Sequence, residues 1–78
     1  MLDLEAEIAL TRKAISQNLR ALRQVKALAQ EKLALEAGVD RTVVSKIERE
    51  VANPSIEILI RLAVALDVNV GALIARAE

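Results

Sequence analysis

Apolar side chains return at intervals of three, four or seven along most of this chain, and nowhere do they alternate with polar ones long enough to make a strand. Leu4, Ile8, Ile15, Leu19 and Leu22 describe one face of a first helix. Leu33 and Ala37 continue an apolar face up to Gly38, a natural C-terminal stop. Asp40 is placed to cap a new helix that carries Val43, Val44 and Ile47. Pro54 and Ser55 open the next, with Ser55 as N-cap and Ile56, Leu59, Ile60, Ala63 and Leu66 on its buried face. Asn69 is placed to cap a last short helix containing Leu73. The pattern predicts an all-α chain of five helices.

Propensity leaves one junction open. Between Arg20 and Ala37 no residue stops a helix, and good helix formers would draw a single rod through Ala27, Leu28 and Ala29. A rod there cannot fold 78 residues back on themselves.

Composition narrows the chemistry. Seventy-eight residues make one small domain. Hydrophobic residues are 54% of the chain, yet Phe, Tyr and Trp are absent, so Leu, Ile, Val and Ala must build the core. A chain this short buries about 60–65% of its unfolded surface, which predicts marginal stability or help from self-association. Without Cys there is neither a disulfide framework nor a thiolate zinc site. Without His the commonest general acid–base and metal ligand is missing. No enzyme, metal, cofactor or small-molecule substrate is expected. The net charge of zero hides a segregation: from Arg12 to Arg49 nine Lys and Arg stand against four acids, while both flanking segments are acidic. Such asymmetry is a nucleic-acid cue, but a pI near 6.3 is far from strongly basic. The acidic start and the lack of a long apolar run predict a cytoplasmic chain with no membrane partner.

The segment from Gln30 to Glu48 has the form of a helix-turn-helix, and this spacing settles the open junction in favour of a break. Each anchor has a physical role. Ala34 is small where two helices cross closely, and Gly38 supplies the positive φ of the tight turn. Val39, Val44 and Ile47 point inward, leaving the outer face of the third helix free for a major groove. With Asn18 to Arg23 before it, and Asn53-Pro54-Ser55, Leu59 and Ala63 to Leu66 after it, the chain resembles the lambda-repressor-like (Cro, or Xre) helix-turn-helix family. The likeness covers roughly Ile15 to Ile74. Within that family, Gly38 to Thr42 followed by Ser45 and Ile47 to Arg49 look most like the small controller proteins of restriction–modification systems. The implied fold is a compact five-helix lambda-repressor-like domain over 14–78, its motif at about 30–49, preceded by an acidic N-terminal extension of the first helix over 1–13.

The resemblance implies roles residue by residue. Arg41, Thr42, Ser45 and Lys46 are the base-reading candidates on the third helix: Arg41 offers two donors to a guanine, and Thr42 a hydroxyl or a methyl. Gln30 and Asn53 are expected on DNA phosphates, and Arg23 with Glu48 forms an internal ion pair between the first and third helices. The chain also departs from the family. Ala27 and Ala29 stand where a Gly and a Ser or Thr cap are usual, each change costing on the order of 1 kcal/mol. Glu50 replaces a Gly that often ends the third helix, and Val51 and Ala52 replace loop cations. Marginal stability and weak monomeric DNA binding are therefore expected.

The implied function is a sequence-specific, double-stranded DNA-binding transcriptional regulator, acting as a homodimer on a palindromic operator. The alternative is a protein-interaction module, such as an antitoxin or anti-regulator, on the same scaffold; the neutral net charge favours that class and Arg41, Thr42 and Gln30 favour DNA. For the dimer contact, Ile58 and Leu62 with Ala65 and Val64 form a second apolar stripe on the fourth helix, to which Leu73 and Ile74 of the fifth are added. Leu2, Leu4 and Ile8 of the N-terminal arm are the competing contact.

Overall fold

The computed structural model describes residues 1–77, so that Glu78, the last residue of the expected domain, lies outside the described residues. Five helices follow in order: α1 (Leu4–Val25), α2 (Gln30–Ala37), α3 (Arg41–Glu48), α4 (Ile56–Ala65) and α5 (Val70–Ile74). There is no strand among the described residues. Three helices begin on a side-chain cap: Asp3 accepts from Ala6 N, Asp40 from Thr42 N and Ser55 from Ile58 N. Asn69 and Ala29 precede α5 and α2 without a side-chain bond to the helix.

α1 is one uninterrupted helix that crosses the expected boundary between residues 13 and 14. Its 22 residues span about 33 Å, most of the 40 Å long axis of the molecule. Only its second half is buried, through Ala14, Ile15, Ser16 and Leu19. Leu4 and Ile8 continue the same stripe but are exposed, because α3 and α5 pack against the later turns.

The junction left open by propensity is a turn at Ala27. There the N–H of Ala27 bonds to Gln24 O and the N–H of Leu28 to Arg23 O, at 3.0 Å each. This closure of a helix end puts the residue after the cap in the left-handed region, a place suited to Gly. Ala27 holds it at φ 54°. The same pair of bonds ends α3 at Glu50 (φ 64°) and α4 at Asp67 (φ 59°), and only the end of α2 has a glycine, Gly38, at φ 70°. A non-glycine in this region costs roughly 1–2 kcal/mol. At Ala27 that strain is offset by packing Leu28 on the core and by the Arg23 Nη1 bond to Leu28 O at 2.8 Å.

The core gathers Ile15 and Leu19 of α1, Leu33, Ala34 and Ala37 of α2, Val44 and Ile47 of α3, Leu59, Leu62, Ala63 and Leu66 from α4 and its end, and Leu73 of α5. Two expectations are corrected here. Ile56 and Ile60, predicted on the buried face of α4, are 75% and 45% exposed, while Leu62, predicted on an outer stripe, is fully buried. Leu73, also expected at a dimer contact, is likewise fully buried, Ile58 is half-buried, and of those four only Ile74 is exposed. The reason is that α4 is apolar nearly all round, so periodicity does not select its inner face. Packing on α2 and α5 does, and it chooses Leu59, Leu62, Ala63 and Leu66, at helical spacings of three and four.

Candidate nucleic-acid interface

α2 and α3 are held as a rigid pair by small and β-branched contacts. Ala34, Val44 and Ile47 are buried at their crossing, Val39 is half-buried, and the Val39 N–H closes the end of α2 on Ala34 O at 3.0 Å. This packing turns the opposite side of α3 outward. Arg41, Thr42 and Lys46 are exposed there and Ser45 is half-buried. Arg41, in the first turn, has no hydrogen-bond or ion-pair partner among the described residues, so all its donors face solvent.

Thr42 is less free. Its backbone N–H and its hydroxyl both donate to Asp40 Oδ1, at 2.8 Å each. The backbone bond first, then the hydroxyl bond, hold the Asp40 carboxyl below its ordinary range, with the Lys46 charge assisting. An ionised carboxylate only accepts, so the Thr42 hydroxyl must point its proton at Asp40. Toward a base edge it has acceptor lone pairs and its methyl group left.

The start of α2 contrasts with that of α3. With Ala29 before it, no side chain covers the first N–H groups of α2, so the positive end of the helix faces solvent. Gln30 sits at this end and donates through Nε2 to Glu48 Oε1 at 3.1 Å. Glu48 is the hub of the fold although it is only 4% exposed. Arg23 grips it with two bonds, Nε to Oε2 at 2.8 Å and Nη2 to Oε1 at 3.0 Å, and Arg20 Nε stands 3.5 Å from Oε1. Burial pushes the Glu48 carboxyl up, but the hydrogen bonds from Arg23 and Gln30 and the charges of Arg23 and Arg20 outweigh it, and its pKa is lowered. The bond to Glu48 in turn raises that of Arg23. The Glu48 carbonyl accepts from the buried Ser16 Oγ at 2.6 Å and from Arg20 Nη2 at 3.0 Å. One residue thereby joins the middle of α1, the start of α2 and the end of α3.

Asn53, on the loop before α4, is exposed, and its Oδ1 accepts from Nε and Nη2 of Arg12 at 2.9 and 2.5 Å. Reasoning from sequence missed Arg12, Arg20, Ser16 and Arg49. Its available signal was the four-residue spacing of Arg12, Ser16 and Arg20 along α1, and of Ser45 in α3 and Arg49 at its C-cap. It also missed Asn18, whose amide donates to Leu73 O at 2.8 Å and Ala75 O at 2.7 Å and ties α5 to α1. No helix among the described residues is long and apolar enough to cross a membrane.

An outward α3 locked at its base by α2, beside an uncapped helix start, defines a helix-turn-helix domain of the kind that meets DNA. The helix-turn-helix family model HTH_3 matches residues 19–73, and the chain belongs to this family of Cro/Xre-like DNA-binding transcriptional regulators. It is 37% identical over 62 residues to the control protein C.SmaI of Serratia marcescens, covering 80% of this chain and 74% of that one. Among solved structures it is similar to the restriction–modification controller protein C.AhdI of Aeromonas hydrophila (40% identity, TM-score 0.77, 80% of this chain and 94% of that one). It is also similar to SinR, a master regulator for biofilm formation solved in complex with DNA (37% identity, TM-score 0.75, 78% and 98%). These relatives are regulators and controllers rather than enzymes.

Proposed function

We propose that this regulator reads an operator with α3 in the major groove, and that two copies bind a two-fold symmetric site. The exposed, unpartnered Arg41 at the start of α3 carries the reading. Its guanidinium suits the O6 and N7 of a guanine, while Thr42, its proton already directed at Asp40, suits an amino group of adenine or cytosine or a thymine methyl. Ser45 and Lys46 follow on the same helix about one turn later. Gln30, with the uncapped N–H groups of α2, and Asn53 position the backbone. The likeness to SinR, solved with DNA, and to two controller proteins supports this reading.

One recognition helix covers few base pairs, and symmetry doubles the readout, with the two helices about 34 Å apart. Ile56, Ile60 and Val64, four residues apart on α4 and 75%, 45% and 72% exposed, are the apolar surface for a second copy.

Selecting bound fragments from a random DNA library tests the base reading. Arg41→Ala is expected to weaken the selected site by about 1–3 kcal/mol and relax preference at one base pair, whereas Gln30→Ala weakens all sequences about equally. Unchanged affinity in Arg41→Ala rules out this role of α3. Sedimentation of the wild type against Ile60→Glu and Val64→Glu tests the pairing, and a monomeric wild type at micromolar concentration would refute it.

A further inference from the structure

We infer that Arg12, in the N-terminal half of α1, is a DNA-backbone contact that works with Asn53 as one anion clamp outside the helix-turn-helix. This inference rests on the DNA-binding reading above. The residue lies beyond the 19–73 span that matches the family model.

The clamp follows from the hydrogen-bond chemistry of its two members. A guanidinium has five donors and no acceptor. Arg12 therefore has to meet the carbonyl end of the Asn53 amide, as it does through Nε and Nη2. The amide is thereby fixed with Nδ2 at its other end. Three Arg12 donors and two Asn53 donors remain, and none of them has a partner among the described residues. The charge is also uncompensated: no carboxylate lies within ion-pair distance of Arg12 among the described residues. Glu7, the acid that lines the same groove as Arg12 and Asn53, is engaged with Arg76. A group of donors with one net positive charge and no outward acceptor selects an anion with several oxygens. A phosphodiester has that chemistry.

The position suits this partner. Arg12, Ser16 and Arg20 share one face of α1, and Ser16 and Arg20 both bond the Glu48 carbonyl at the end of α3. Arg12 is one turn further along that face and touches the loop after α3 instead. It thus satisfies no helix carbonyl, unlike Arg20. Like Arg20, which bonds the Glu48 carbonyl, and the exposed Arg49 at the C-cap of α3, it is a cation attached to the end of α3 or to the loop that follows. Between Arg49 and Asn53 the loop, with Glu50, Val51 and Ala52, brings no cation of its own.

A merely structural tether and a phosphate contact differ in salt dependence. The probe is a mixed-sequence DNA duplex of about three helical turns, with affinity measured between 50 and 200 mM salt. Arg12→Gln keeps an amide donor for Asn53 and removes the charge. It is expected to lower the slope of log affinity against log salt by about 0.9, so that the wild type's loss across this range shrinks about 3.5-fold. Arg12→Lys, which keeps the charge, is expected to restore most of the slope. A wild-type slope retained in Arg12→Gln, with or without a lower melting temperature, assigns Arg12 to tethering and overturns the inference. A wild type with no slope at all overturns the DNA reading itself, a result distinct from either variant's.

Discussion

Removing the carboxylate of Glu48 is expected to be the most damaging single polar change in this domain. Glu48→Ala takes two bonds from Arg23 and one from Gln30, and leaves a guanidinium whose side chain is 17% exposed without its partner. Breaking a buried pair by removing one member costs about 3–5 kcal/mol. Arg23 keeps its bond to Leu28 O and has some access to water, and Arg20 is half-exposed, so the low end applies: about 3 kcal/mol. A 78-residue domain has a total stability of roughly 4–12 kcal/mol, so this is a large share. For a domain of this size each kcal/mol moves Tm by about 4–8 °C, giving a fall of about 12–24 °C. The assay is a thermal melt followed by helical circular dichroism, supported by denaturant titration. The paired replacement Arg23→Met with Glu48→Leu removes both charges and is expected to recover most of the loss. A Glu48→Ala Tm within about 3 °C of wild type would refute the claim that the ion pair holds α1, α2 and α3 together.

Three further outcomes are expected. Because the Glu48 carboxyl titrates below its ordinary range in the folded state, its contribution is complete above the ordinary carboxylate range and is lost as pH falls through that lowered value; the stability gap between wild type and Glu48→Gln should therefore narrow as acid melts go below the ordinary carboxylate range, and a constant gap would contradict it. Ala27→Gly and Glu50→Gly relieve left-handed backbone strain at φ 54° and 64° and should each raise stability by about 0.5–1 kcal/mol in denaturant titrations, whereas a loss at either site would show that its strain is not real. Leu62→Ala opens a hole at a fully buried position and should cost about 2.7–5 kcal/mol, while Val64→Ala on the exposed side of α4 should stay within about 0.5 kcal/mol for the monomer; equal effects would mean that α4 is turned the other way.

Apart from the break at Ala27, local chemistry determined where this chain is helical and where its central turn lies. Asp40 and Ser55 cap α3 and α4 with their own side chains, and Gly38 takes the one left-handed position at which the chain has a glycine. These are interactions among residues within four positions, so a linear pattern contains them. The order of anchors from Ala34 to Ile47 likewise placed α3 with a free outer side. Tertiary structure decided what propensity and periodicity leave degenerate. No local residue demands a break at Ala27; the chain turns there because burying Leu33 in the common core and Leu28 against it outweighs the strain of one alanine. Nothing local chooses between Leu62 and Ile60 on a helix apolar around most of its circumference, and α2 and α5 make that choice. Gln30 meets Glu48 across 18 positions and Arg12 meets Asn53 across 41, and such separations are closed by the packing of the helices and have no periodic trace. The elements came from short-range hydrogen bonds and propensity, whereas the hub at Glu48 and the clamp at Asn53 exist only because five helices fold around one apolar core.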